Sequence, residues 1–521
     1  MNIKQAKEEI KRTVEIYLEK NQYGEYVIPY HKQRPIYMVG APGIGKTAIM
    51  EQIAQELDIA LVSYSMSHHT RQSALGLPHI VEKTFNGETL PVSEYTLSEI
   101  IAKIYDTMEK SHIREGILFL DEINCVSETL APAMLQFLQY KVFGNHPMPE
   151  GWIIVTAGNP PQYNKSVKEF DIATQDRLRM LAVEEDYEVW RNYASEVQIH
   201  GAILAFLESN REYFYRIRTT SQGRVFVTAR GWEDLSAVIR LYEKKGFPVE
   251  NTMIAQYITD QEVSRKFSMF YDLYVRYHQD YHVEEILSGK VTNDIIEKAS
   301  RAPFEERISL LEMVFDRMGN DFVENLQEEN ILSMVVASLR KVKASLASSI
   351  GEISPLLQFH IDNLTKEWNE RKAANNLSAE QATIYRGSID TLSGYQNDKK
   401  IAALTPGTQF PEVKKLFQAR VKRHNTSITK TQKELESVFS FVEKAWGTNQ
   451  ELTLLMTFLT GNRYSNTFIN RWGSKPYFKY NKDMLIYDAR KALLSQIEDL
   501  NLDEDEEAGE AQDKKALTTK K

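Results

Sequence analysis

Three stretches of this chain place reactive side chains at intervals that suit phosphate chemistry. In the first, VGAPGIGKTAIM, the spacing of Gly40, Gly45, Lys46 and Thr47 fits G-x-x-x-x-G-K-[ST], a turn whose backbone N–H groups surround phosphate oxygens. Its candidate lining is Gly40, Ala41, Pro42, Gly43, Ile44, Gly45, Lys46, Thr47 and Ala48. Lys46 would reach the β- and γ-phosphates and Thr47 would ligate Mg2+. The second stretch, GILFLDEIN, ends an apolar run in Asp121 and Glu122. Asp121 suits the water shell of the same metal ion, and Glu122 suits a water facing the γ-phosphate. The third, GWIIVTAGNPP, closes another apolar run with the amide of Asn159, placed to hydrogen-bond that water or the γ-phosphate.

These groups meet only if strands and helices bring them to one edge. RPIYMV reads as a buried strand ahead of the glycine turn, and TAIMEQIAQEL as an amphipathic helix behind it. Such a helix start adds partial positive charge where an anion would sit. Further strands are expected at Ala60–Ser65, Ile117–Leu120, Ile153–Ala157 and Met180–Val183, alternating with helical patterns. That alternation predicts a parallel sheet covered on both faces, with ligands bound outside the carboxyl ends of its strands. Past Val183 the pattern is helical, broken by a hairpin expected around Gln222-Gly223. The polar stretch YRGSIDTLSGYQNDKKIAALTPGTQFPE reads as a linker or long loop. Beyond it, Ile428, Leu435 and Val442 recur every seven residues with Val438 and Phe439 between them, a core-facing stripe on a helix.

The 521 residues suffice for several domains, and the formal net charge is −9. Nine acids and no base lie between Glu498 and Asp513, so this tail reads as a disordered, solvated segment. The rest is near charge balance, which argues against a general nucleic-acid binder. No apolar run approaches a membrane span. The amino-terminal stretch MNIKQAKEEIKRTVEIYLEK is a charged amphipathic helix, not a signal peptide, so a cytoplasmic protein is expected. Cys125 is the only cysteine, which excludes internal disulfides and cysteine-based zinc sites. His68 and His69, beside Arg71, have no further ligand at a recognisable spacing and read as a polar loop contact.

In order and residue type these motifs resemble the AAA+ ATPases. More narrowly, DEIN at Asp121–Asn124, the segment YKVFGNHPMPEGW, AGNPP, and LGLP at Leu75–Pro78 with the polar insertion after it are similar to the MoxR branch. The resemblance covers residues 30–285 or so. It implies an α/β P-loop AAA+ parallel sheet of order 5-1-4-3-2, an α-helical lid, and ATP with Mg2+ as cofactors; an additional mostly α-helical C-terminal region follows. The expected domains are 1–183 for the α/β core, with an amino-terminal helix and an insert near 66–100, then 184–290 for the lid, 291–500 for the helical region and 501–521 for the tail. ATQDRLRML matches the family's arginine-finger region, with Arg177 on the finger position and Arg179 as the other candidate. VTARGWEDL matches the second sensor, with Arg230 at the start of a lid helix. The chain departs from the branch in two places: Cys125 stands where a basic residue is usual, and an acid commonly lies near Gln139.

A finger acting in trans requires a ring, so the resemblance implies a homo-oligomer, most often a hexamer. It also implies a protein client or a partner with a von Willebrand factor A domain, docking through the helical region or the insert. The function expected is a MoxR-type ATPase that remodels or activates such a partner. A nucleic-acid-linked motor or defence-system NTPase is the alternative, kept open by the basic stretch KKLFQARVKRH at Lys414–His424. A nucleotide-gated scaffold would have no need of Glu122.

Overall fold

The computed structural model describes residues 1–163, 167, 170–220, 223–348 and 352–481. The acidic tail and residues 482–500 lie outside them, as do Ser221 and Gln222, where a turn was expected from the sequence. The chain divides into two compact units, one of Met1–Tyr274 with Glu324–Asn425, the other of Val275–Val323 with the described residues from Thr426 onward.

The first unit is built on helix α1 (Ile3–Leu18), strand β1 (Ile36–Gly40), helix α2 (Lys46–Leu57) and strand β2 (Ala60–Ser65). An antiparallel hairpin, β3 (Pro78–Phe85) with β4 (Glu88–Tyr95), precedes strand β5 (Gly116–Asp121). A short hairpin, β6 (Val142–Phe143) with β7 (His146–Pro147), precedes β8 (Trp152–Gly158), and β9 (Arg179–Val183) completes the sheet. The five main strands are parallel in the order β2-β5-β8-β1-β9. Numbered by strand of the main sheet and taken from the other edge, this is the expected 5-1-4-3-2.

Both faces of the sheet are covered, which is why its strands read as unbroken apolar runs. Alternation along β5 divides the core: Ile117 and Phe119 join Ile10, Met50 and Ile53 from α1 and α2 on one face. Leu118 and Leu120 join Ile101, Ile104, Met134 and Phe137 from the helices Glu99–Ser111 and Ala131–Tyr140 on the other. Helix α1 starts at a capping box in which Asn2 and Gln5 exchange side-chain and backbone hydrogen bonds.

The insert near 66–100, read from sequence only as polar, contains the β3–β4 hairpin. Its turn is Asn86-Gly87, both with positive φ (51° and 89°), the geometry of a tight two-residue hairpin loop. The lid segment carries the hairpin β10 (Arg216–Thr220) with β11 (Gly223–Val227), as expected, and an aromatic core in which Phe206, Trp232 and Phe267 meet.

The stretch read as a linker is instead helical. Residues 385–396, 399–402 and 406–412 fall within the helices Ala379–Gln396, Lys399–Ala402 and Pro406–Trp446. Its small polar residues are satisfied inside the helix, since the Ser388 hydroxyl donates to the Ile384 carbonyl (2.8 Å) and the Thr391 hydroxyl to that of Gly387 (2.5 Å). Gly387 serves packing: a Cβ there would stand 2.6 Å from Cδ1 of Ile331. These helices share a core with the later part of the helix Phe304–Ser348, through Val335, Leu339, Leu357, Leu392 and Val413. Residues 324–425 thus group with the sheet-bearing unit, while the expected helical region ran over 291–500. In the second unit Leu435, Val438, Phe439 and Val442 are buried, with Ile428 close behind. This is the core-facing stripe, and Phe322 packs on Phe468 in the same unit.

Lys141 is buried at the start of the β6–β7 hairpin, where its ammonium donates to the Tyr30 carbonyl at 2.8 Å and lies over the Tyr30 ring. Burial lowers its pKa to about 8. Between that value and the ordinary lysine range the unfolded chain binds the extra proton, so this group's contribution to stability grows as pH rises. The unfolding midpoint of the wild type relative to Lys141→Met should therefore move in the wild type's favour from pH 8 to pH 10, by the equivalent of about 2 kcal/mol. A thermal-shift series in which the gap stays constant with pH would refute this.

Candidate functional site

The carboxyl ends of the parallel strands bring the sequence candidates together. Gly40 ends β1 beside Val183 of β9, and Ser65 of β2 lies in register with Asp121 of β5. Between β1 and α2 the chain turns through Gly43 (φ 75°) and Gly45 (φ 95°), left-handed conformations that glycine adopts without strain. A Cβ on Gly43 would stand 3.1 Å from Thr228 Cβ and 3.6 Å from Arg230 Cβ, so the start of the lid helix Ala229–Lys245 lies against the turn. Tyr215, just ahead of β10, donates its hydroxyl to the Pro42 carbonyl at 2.9 Å. Ala41 and Ile44 are buried beneath the turn, and Thr47 and Ala48 follow Lys46 in the first turn of α2.

Lys46 is buried, and its ammonium donates to the carbonyls of Gly40 and Ala41 (both 2.8 Å) and to Oδ1 of Asn159 (2.9 Å). Burial lowers its pKa to about 8; the charges of Asp121 and Glu122 oppose this shift, and that of Arg230 adds to it. The Thr47 hydroxyl donates to Oδ2 of Asp121 at 3.2 Å. Asp121 Oδ1 accepts from the Glu122 N–H at 2.9 Å.

Glu122 has φ 55°, uncommon for a residue with a side chain. Its Oε2 accepts from the Ser65 hydroxyl at 3.1 Å. Asn159 is fixed through its carbonyl by Nδ2 of Asn124 (2.8 Å). Gly158 makes room for that crossing, because a Cβ there would lie 2.5 Å from Asn124 Oδ1. One network therefore joins Lys46, Asn159 and Asn124, and a second joins Thr47, Asp121, Glu122 and Ser65.

The arginines differ in surroundings. Arg230 is exposed in the first turn of its helix, near the glycine turn. Arg177 is exposed and its guanidinium makes no hydrogen bond or ion pair among the described residues, whereas Arg179 on β9 is ion-paired with Glu9 of α1. Arg179 is in register with Ile36 at the start of β1, four residues from Gly40, about 13 Å of strand. Arg177 precedes it, at the end of the sheet away from the glycine turn. His69 lies 3.1 Å from the Ser73 hydroxyl and against the Tyr64 ring, in a loop contact. The side chain of His68 is outside the described set.

Thr47 and Asp121 offer adjacent oxygen donors that fit a hard cation whose other positions fall to phosphate and water. Among the described residues no group of three or more His, Cys, Asp or Glu gathers to hold a metal by itself. Also among them, no helix is long and apolar enough to cross a membrane. Ser65, Asn124 and Tyr215 were not singled out from the sequence. Ser65 alone had a signal there, a hydroxyl ending the strand that neighbours Asp121.

Residues 36–165 match the model of the ATPase family associated with various cellular activities (AAA). No curated protein matches the chain. The matched segment runs from β1 past β8 and includes the glycine turn, the acid pair and Asn159. The chain carries an AAA domain of α/β P-loop AAA+ fold, and its general activity is that of a nucleotide-binding AAA+ ATPase.

Proposed function

We propose, from an AAA+ ATPase domain as premise, that this chain is a MoxR-type motor. It would hydrolyse Mg2+-bound ATP in a ring oligomer, most simply a hexamer, and use the cycle to remodel or activate a partner protein with a von Willebrand factor A domain. The observation that carries the reading is the coupling of Thr47 to Asp121 and of Glu122 to Ser65 beside the glycine turn.

In this reading the backbone from Gly40 to Ala48 and the Lys46 ammonium bind the phosphates. Thr47 and Asp121 would hold Mg2+, which when bound neutralises charge on the β- and γ-oxygens. Glu122 orients the attacking water and takes its proton, Asn159 hydrogen-bonds that water or the γ-phosphate, and Arg230 ties the lid to the nucleotide. Arg177 serves the neighbouring subunit's nucleotide, a role supported by the exposure of its side chain, while Arg179 is engaged with Glu9.

The nucleic-acid-linked alternative loses part of its support. Within Lys414–His424, Arg420 forms a bidentate pair with Glu328 (2.6 and 2.7 Å) and His424 lies 2.9 Å from Glu329. Those two basic groups are engaged with acids of the helix Phe304–Ser348. The test is ATP hydrolysis with and without Mg2+, joined to light scattering and to capture of partners by ATP-loaded Glu122→Gln. Mg2+-dependent turnover, a ring-sized mass and a captured von Willebrand factor A protein are expected. A monomer with ATP, or capture of nucleic acid, would overturn the reading.

A further inference from the structure

Strand β2 is an edge of the sheet, and exposed edges are usually covered or blunted. Here the cover comes from a distant part of the chain. The Leu61 N–H donates to the Ala374 carbonyl at 2.8 Å, and the Leu61 carbonyl accepts from Nδ2 of Asn375 at 3.0 Å. Ala374 is fully buried in the core that contains Val62 and Leu118. Two residues before β2, Asp58 caps the end of α2 with φ 55°. Its carboxylate accepts from both Nη atoms of Arg371 (2.8 and 3.4 Å) and from Nδ2 of Asn376 (3.2 Å). The helix Ile353–Ala373, which delivers these groups, also lies against the helix Glu99–Ser111.

Both gripped elements carry site residues at their far ends. Helix α2 starts with Lys46 and Thr47, about 18 Å of helix from its capped end. Strand β2 ends with Ser65, whose hydroxyl holds Glu122, about 13 Å of strand beyond Leu61. A helix and a strand transmit a displacement along their length, because their backbone hydrogen bonds and packed side chains leave little slack.

Resting on the hydrolytic role given above to Glu122, we infer that Arg371–Asn376 is a positioning latch. By fixing the end of α2 and the start of β2, it sets Lys46, Thr47 and the Ser65–Glu122 pair in working register. The helices of residues 324–425 thereby gain leverage on hydrolysis without touching nucleotide. Arg371, Asn375 and Asn376 are positioning residues.

The test is the double variant Arg371→Ala/Asn375→Gly in the full chain, the glycine keeping the left-handed backbone of position 375 (φ 53°). A second variant, Ala374→Glu, wedges the same contact open by burying a charge. Amide exchange at Leu61 reports opening. Expected in either variant are faster Leu61 exchange, a kcat at least tenfold below wild type and a KM for ATP within threefold. The proposal is overturned if Leu61 exchange speeds up while kcat stays within twofold of wild type or rises. It is also overturned if neither variant speeds that exchange, or if both lose nucleotide uptake, which marks a merely structural role. Absence of turnover in the wild type would count against the functional reading, and wild-type turnover matched by the opened variants against the latch.

Discussion

Replacing Glu122 with Gln should cut ATP turnover by about 10²–10⁴-fold while leaving ATP uptake intact. The amide has the carboxylate's shape and can still accept the Ser65 hydroxyl, whose present distance to Glu122 is 3.1 Å. It cannot take a proton from water. The groups assigned to phosphate and Mg2+ are separate: Lys46 binds through the Gly40–Asn159 side of the site, and Asp121 meets the Thr47 hydroxyl. Binding and chemistry therefore part company in this variant. Phosphate release under saturating Mg2+–ATP, set beside titration with a fluorescent nucleotide, checks both halves. Turnover within threefold of wild type would remove Glu122 as the base, and loss of uptake would make it a structural residue.

What the sequence disclosed about this site follows from how far apart its partners lie along the chain. The glycine turn is continuous from Gly40 to Ala48, so its role is written in adjacent letters. Asp121, Glu122 and Asn159 were legible because each ends an apolar run, and a parallel sheet delivers such ends to one edge. Ser65 was not, since its value depends on a register that pairs it with Asp121 across a different strand. The latch was still less visible, because Arg371 and Asp58 are 313 residues apart.

The misread linker shows composition losing to packing. Gly387 and its serine and threonine neighbours look like loop residues, yet the glycine admits Ile331 and the hydroxyls bond within their own helix. The β3–β4 hairpin was in principle readable from Asn86-Gly87, but its largely exposed strands lack the apolar alternation that flags a half-buried ribbon.

Arg177→Ala should also abolish turnover, by about 10³-fold or more, and mixing it with Glu122→Gln should restore part of what each variant lacks alone. The reasoning starts from sheet geometry. β9 runs parallel to β1 with Arg179 opposite Ile36 and Val183 opposite Gly40, so Arg177 stands beyond the end of the sheet away from its own glycine turn. In the proposed ring, a guanidinium there would serve a γ-phosphoryl group only on another subunit. In a mixed ring, a site formed by nucleotide on an Arg177→Ala subunit and the arginine of a Glu122→Gln neighbour has both its base and its finger. Activity should therefore peak at intermediate mixing ratios, where such junctions are commonest, and vanish toward either pure variant. A mixture that stays inactive at every ratio, after exchange of subunits is demonstrated by labelled protomers, would place the finger elsewhere. An Arg179→Ala protein, by contrast, loses the ion pair with Glu9 and should show altered stability with turnover largely retained.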